Sequence, residues 1–311
     1  MKKSNSILKT TVAAFGALHC INKYIESNTN INLTAKSNDH FYHWKHGDIF
    51  YKVCGQGEPL LLIHDLTIFS SGYEWTQLAQ SLSLDYTVYV IDLIGCGRSD
   101  KPAVTYTNYF YVQLISDFVK DIIKTDTKVA ATGLSSSFVL MANALNPDLF
   151  SEIMLISPPS IESLKAKPTD RSKFLLKFFD LPIIGKTAYY IASNQTNTNY
   201  FLTKKMFHNY LNVKPGIRKA YYDAAHTAKG NGKYLLASLD GSYLQADITN
   251  ALRNTDKRIV LVYGLHNDNR KTTFASYQKI NPHLALEIIS DAKYLPQLEN
   301  IDELAEIMYH F

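Results

Sequence analysis

The chain reads as an α/β protein, a doubly wound and mostly parallel sheet carrying a helical insertion. Three observations predict it. Short apolar, β-prone runs alternate with stretches whose apolar residues recur at helical spacing. One such run, Val129 to Ala131, passes through Thr132-Gly133-Leu134-Ser135 straight into a helix-like stretch, Phe138 to Leu145. Between about Pro158 and Asp256 the alternation stops, and helix-like segments rich in Tyr and Phe take over.

The elements follow in order. Leu8, Val12, Phe15, Leu18 and Ile21 fall at helical spacing and predict an amphipathic N-terminal face. A bilayer-spanning helix needs ~20 apolar residues, and this face is shorter. The bland reading is a helix packed on the protein's own surface; the sharper one is a peripheral membrane contact through residues 8–21. Lys9 interrupts the apolar stretch and no small-x-small cleavage site follows, which argues against a signal peptide. The asparagine-rich stretch from Asn28 to Asp39 reads as a linker. Strands are expected at Asp48 to Val53, Leu60 to Ile63, Thr87 to Ile91, Val129 to Ala131, Ile153 to Ile156, Ile259 to Tyr263 and Ala285 to Ile289. Trp75, Leu78, Ala79 and Leu82 mark one helix, and Tyr111, Leu114, Ile115, Phe118 and Ile122 a second. Asn300 caps a last helix whose first turn carries Asp302 and Glu303. The expected organisation is therefore 1–38 as N-terminal helix and linker, 39–157 and 257–311 as core, and 158–256 as helical cap. A cap so placed would sit above the C-terminal strand ends, where open α/β sheets bind ligands.

Composition excludes several classes. With 46% hydrophobic residues the chain buries a sizeable core and is not disordered. A net charge of +4, without a dense basic tract interleaved with aromatics, gives nucleic-acid binding no support. Cys20, Cys54 and Cys96 are odd in number and unhelpfully spaced. They suggest neither a disulfide framework nor a zinc site, so a reducing, cytoplasmic setting is expected.

Three motifs carry chemistry. Gly133-Leu134-Ser135-Ser136-Ser137 nearly matches Gly-x-Ser-x-Gly, the turn that pushes a nucleophilic serine into a cleft. Asp92-Leu93-Ile94-Gly95-Cys96-Gly97-Arg98-Ser99-Asp100-Lys101-Pro102 lies upstream of it, and Ile63-His64-Asp65 upstream of that. In this order and spacing the three resemble the α/β-hydrolase superfamily, in its cap-bearing esterase, haloperoxidase-like and epoxide-hydrolase-like branch. The resemblance runs from about His46 to Phe311, interrupted by the more individual cap.

That resemblance implies the α/β-hydrolase fold with a cap inserted after the sixth core strand. It implies Ser135 as nucleophile, with the backbone N–H groups of Leu66 and Ser136 as the oxyanion-hole donors. No metal or organic cofactor is implied. The acid position falls on Asn267, with Asp268 one residue further, and the histidine position falls on Tyr294 in Lys293-Tyr294-Leu295-Pro296. A tyrosine, with an ordinary pKa of about 10, cannot play imidazole's two-way role near neutrality. Asp65 also replaces the glycine that usually follows the histidine of the oxyanion loop, and a carboxylate there opposes a developing oxyanion.

Bland readings stand beside these. Ser135 is also the small residue a tight strand–helix turn needs, and Ser137 is small enough for close helix packing. His64 reads as a structural histidine, His266 as a loop histidine facing the site or solvent, and His226 as packing within the cap. Two functional classes therefore remain. One is a serine hydrolase of small or medium apolar esters, lactones or amides acting through Ser135. The other is a catalytically degenerate relative that keeps the capped pocket as a binding or interaction module for a small apolar molecule. Halide or epoxide chemistry ranks below both, since those branches use an aspartate at the position of Ser135.

Overall fold

The computed structural model describes the backbone of residues 2–29 and 39–311 and the side chains from Thr10 onward within them. Eight strands form one sheet: β1 (Asp39–Trp44), β2 (Gly47–Cys54), β3 (Glu58–Ile63), β4 (Tyr86–Ile91), β5 (Thr127–Thr132), β6 (Phe150–Ile156), β7 (Arg258–Gly264) and β8 (Ala285–Ile289). Their order is β1-β2-β4-β3-β5-β6-β7-β8. The β1–β2 and β2–β4 pairs are antiparallel, and every other pair is parallel. β1 starts at the expected end of the linker, and most of the linker lies outside the described residues.

The apolar run Leu60 to Ile63 is fully buried in β3, as a central strand covered on both faces requires. One face is covered by helix α2 (Thr76–Leu82), whose Leu78, Ala79 and Leu82 pack with Leu60, Leu62, Val88 and Val90. The other carries α3 (Asn108–Phe118) and α4 (Ser135–Leu145), with Tyr111, Phe118 and Phe138 in a larger cluster that continues into the insertion. Asn300 accepts the Glu303 N–H and so caps the terminal helix.

Between β6 and β7 the chain is helical: α5 (Ile161–Leu164), α6 (Asp170–Asp180), α7 (Ile184–Ala192), α8 (Gln195–Tyr200), α9 (Pro215–His226), α10 (Gly232–Asp240) and α11 (Thr249–Asn254). After β7 come α12 (Arg270–Gln278), α13 (Pro296–Glu299) and α14 (Ile301–Tyr309). This is the capped architecture that the resemblance implies, with the insertion after the sixth strand. His226 packs between the rings of Tyr190 and Tyr222 inside the cap.

The N-terminal helix α1 (Lys2–Asn28) is longer than the periodic face in the sequence. It docks on the cap rather than on the sheet. The buried Asn22 amide donates to the Ile183 carbonyl at 3.2 Å and to Thr187 Oγ1 at 3.1 Å. Glu26 pairs with Lys186 at 2.6 Å. No helix among the described residues is long and apolar enough to cross a membrane.

Candidate active site

The strand–helix turn decides where the site lies. β5 pairs with β6 as far as Thr132 opposite Ile156, and the Gly133 N–H still donates to the Ile156 carbonyl at 2.8 Å. The chain then turns at Gly133, with φ +57°. Leu134 is already helical (φ −63°, ψ −29°), and α4 begins at Ser135. In a nucleophile elbow the strained residue at this turn bears the hydroxyl, and the N–H after it lines the oxyanion hole. That place belongs to Gly133, two residues before the serine the motif selects.

The assignment of Ser135 is thereby corrected. Ser135 is fully buried in the first turn of α4, and its hydroxyl donates to the His64 carbonyl at 2.7 Å. Ser136 is no oxyanion donor either, because its N–H closes the turn onto the Gly133 carbonyl at 3.1 Å. Ser137 Oγ similarly donates to the Leu134 carbonyl at 2.7 Å.

The two N–H groups that do converge are those of Leu66 and Leu134, and they converge on a side chain. Asp65 Oδ1 accepts from Leu66 N at 2.7 Å and from Leu134 N at 2.8 Å. A Cβ built on Gly133 would lie 2.1 Å from that oxygen, so the carboxylate fills the room a nucleophile would need. Burial pushes the Asp65 carboxyl up to about 6, against the two N–H groups and the Tyr294 hydroxyl, which favour its charged form. The two converging N–H groups, at the place where the resemblance implies an oxyanion hole, are thus both taken by the Asp65 carboxyl.

The remaining positions scatter. Tyr294 is half-buried, and its hydroxyl lies near enough to the Asp65 carboxyl to favour that group's charged form. Burial, and then the charges of Asp65 and Glu74, hold that phenol well above its ordinary value. Asn267 is buried and shares with Tyr294, Ser157 and Tyr263 the wall of a cavity of about 490 Å³. Asp268 points away, exposed, with Lys293 Nζ at 3.7 Å. His266 stacks on His208 of the cap, ring centroids 3.4 Å apart. His64 is wholly buried. Its Nε2 accepts from Leu93 N at 2.9 Å, so Nδ1 carries the proton and donates to the Asp65 carbonyl at 2.6 Å. Burial lowers its pKa, and it acts as a clamp between two loops.

The Asp92 motif is a clamp as well. Its carboxylate accepts from Gly72 N at 2.6 Å and Arg98 N at 2.7 Å, while Ser99 Oγ donates to the Asp92 carbonyl at 2.6 Å. The left-handed Gly97 (φ +46°) lets the chain fold over this carboxylate, because a Cβ there would sit 2.1 Å from Asp92 Oδ2.

Sequence reasoning missed Glu74 and its partners. Glu74 is buried and accepts from Tyr221 of α9 at 3.0 Å and from Gln297 of α13 at 3.2 Å. Gln297 also reaches Thr132 at 3.2 Å. Burial, with the Asp65 charge nearby, pushes the Glu74 carboxyl up to about 8. Nothing local in the sequence marks this acid; its partners lie far away along the chain. Among the described residues, no group of three or more His, Cys, Asp or Glu could hold a metal ion.

Comparison with known proteins agrees with the architecture. The sequence is 28% identical over 112 residues to 2-hydroxy-6-oxo-6-(2'-aminophenyl)hexa-2,4-dienoic acid hydrolase of Metapseudomonas resinovorans, covering 34% of this chain and 37% of that protein. The alignment thus spans little more than a third of that relative's length. Among solved structures, Cfl2 from Burkholderia cenocepacia superposes with TM-score 0.72 at 16% identity, over 88% of this chain and 95% of that one. A bromoperoxidase from Bacillus anthracis gives 0.70 at 15% identity, over 88% and 98%. At such identities the two structures share a fold and nothing more specific. The profile of the alpha/beta hydrolase family matches residues 60–307, most of the core and the whole insertion, and so this chain belongs to the alpha/beta hydrolase family.

Proposed function

We propose that the protein is a catalytically degenerate hydrolase, one that keeps the capped fold as a binding or interaction module and does not turn over esters. One observation carries the reading: the Asp65 carboxylate accepts both N–H groups of the oxyanion hole, directly over a glycine at the apex of the turn. Ester hydrolysis needs a nucleophile at that apex, a base to activate it and an empty hole for the developing oxyanion. Gly133 offers no nucleophile. The Tyr294 phenol, held above its ordinary pKa, does not accept a proton near neutrality. Loss of a triad member alone leaves roughly 10³–10⁴-fold catalysis, supplied by the oxyanion hole and substrate binding. Filling the hole removes the first of those sources too.

A small ligand would find room in the cleft of about 210 Å³ between core and cap, walled by Phe50, Tyr73, Val90, Ala220 and Ala224 together with the charged Lys52, Arg98 and Asp223.

The second reading, a serine hydrolase of small or medium apolar esters, lactones or amides, draws support from kinship and from Ser135 at the start of α4. It requires Ser135 to release the His64 carbonyl and meet a base that is not evident around it. Hydrolysis of short-chain p-nitrophenyl esters by the unmodified protein and by Ser135→Ala tests the choice. Equal rates, both at background, are expected. A rate well above background that Ser135→Ala abolishes overturns the proposal.

A further inference from the structure

Charge is divided unequally between the parts of this molecule. Residues 1–29 and 158–256, the N-terminal helix and the cap, together hold 18 Lys and Arg against 8 Asp and Glu. The rest of the chain holds 14 against 20. A modest overall charge thus conceals a basic half and an acidic half, and a protein so polarised orients itself in the field of a charged surface.

The basic half also exposes apolar side chains. On α1, residues 10–22 include no Asp, Glu, Lys or Arg, and Lys9 and Lys23 flank them in sequence. Residues 10–17 are all exposed, Val12 and Phe15 among them, and a Cβ added to Gly16 would meet nothing within 4 Å. Among the described residues, the hydrogen bonds and ion pair that tie α1 to α7 lie in its C-terminal part, at Asn22 and Glu26. At 1.5 Å per residue, the helix reaches about 30 Å beyond Asn22. The cap continues the apolar surface around this docking point. Leu181 precedes by two residues the Ile183 carbonyl that Asn22 caps, Ile191 follows Thr187 by one turn, and Phe174 stacks on Phe178 in α6; Leu181, Ile191 and Phe174 are all exposed. Arg171, Lys173 and Lys177 lie on the same helix α6.

We infer that α1 and the adjoining face of the cap form a docking surface for an anionic lipid bilayer. The uncharged stretch of α1 lies in the interface, and the lysines and arginines engage lipid phosphates. Its length is too short to span the hydrocarbon and suits burial at the headgroup boundary. Interleaved basic and apolar side chains are what an anionic membrane surface selects, since each charge adds attraction that salt screens and each apolar group adds insertion. A second copy of the chain fits less well, because it would set one basic surface against another.

The test is co-sedimentation of the full chain with large unilamellar vesicles, either phosphatidylcholine alone or phosphatidylcholine with 30% phosphatidylglycerol. Binding to the anionic vesicles is expected to be at least about tenfold tighter than to the neutral ones and to weaken as salt rises. Val12→Glu with Phe15→Glu, at exposed positions that do not touch the core, is expected to weaken it at least about tenfold with an unchanged unfolding midpoint. Lys173→Glu with Lys177→Glu is expected to weaken it on anionic vesicles only. No sedimentation with anionic vesicles at low salt, or undiminished binding by the Val12/Phe15 variant, overturns the inference. So does a dimer in solution that the same variant converts to monomer without any lipid binding, which would identify a second copy as the occupant.

Discussion

If the Asp65 carboxylate occupies the room of a missing nucleophile, then residues 65 and 133 must be energetically coupled. Gly133→Ala places a Cβ 2.1 Å from Asp65 Oδ1 and 2.3 Å from its Cγ. The left-handed backbone at φ +57° adds a penalty of about 1–2 kcal/mol for any non-glycine residue. The collision adds about 1–3 kcal/mol, typical of overpacking. A loss of about 2–5 kcal/mol is therefore expected for Gly133→Ala. Asp65→Ala strips the acceptor from two buried N–H groups, at about 1–3 kcal/mol each, or about 2–6 kcal/mol together. In the double variant the orphaned donors and the backbone penalty persist, but the collision disappears. Its loss should fall short of the sum of the singles by about 1–3 kcal/mol, the collision term alone. Urea unfolding of the four proteins, extrapolated linearly to water, measures this cycle. Additivity within about 0.5 kcal/mol would refute the reasoning, because it would mean that carboxylate and apex do not compete for one space.

Three further outcomes follow from the same structure. Glu74 keeps its proton in the folded state up to about pH 8, whereas the unfolded chain releases it near 4.5. Stability should therefore fall as pH rises between those values, by up to about 1.4 kcal/mol per pH unit, and Glu74→Gln should flatten that slope in unfolding measured from pH 5 to 8. Tyr221→Phe removes the cap's hydrogen bond to the same carboxyl. It should cost about 1–3 kcal/mol by denaturant titration, since a buried acceptor loses its donor. Deleting residues 1–38 removes the Asn22 and Glu26 contacts to the cap and, among the described residues, only the peripheral Ile25 from the main core cluster. The truncated chain should unfold in one cooperative transition, and loss of that cooperativity would show that α1 completes the fold.

Seven of the eight strands and the cap were legible because each rests on local pattern, whereas β1 (Asp39–Trp44) was not expected. Leu60 to Ile63 reads as buried from its apolar run alone, and the insertion announces itself by breaking the strand–helix alternation. The departures at Asn267, Tyr294 and Asp65 were legible too, each as one residue standing where the resemblance implies another. The apex was not. Ala131, Gly133, Ser135, Ser136 and Ser137 are all small, so the strand–helix turn can be placed in more than one register, and Gly-x-Ser-x-Ser favours the wrong one. The choice is made by a long-range contact, the pairing of Thr132 with Ile156, which fixes where β5 ends. The Glu74–Tyr221–Gln297 network was illegible for a similar reason, since it joins segments more than a hundred residues apart. The sequence also marked Asp65 as an obstacle to an oxyanion, but only the folded loop turns its carboxylate into the hole.

The central claim is that no activated serine exists in this protein. It is tested most directly by a fluorophosphonate probe, which phosphonylates only a serine whose hydroxyl is activated beside a usable oxyanion hole. Intact-mass measurement after incubation of the unmodified protein should show no adduct, and Ser135→Ala should behave identically. Rapid stoichiometric labelling at Ser135, abolished in Ser135→Ala, would contradict the account and identify Ser135 as a working nucleophile.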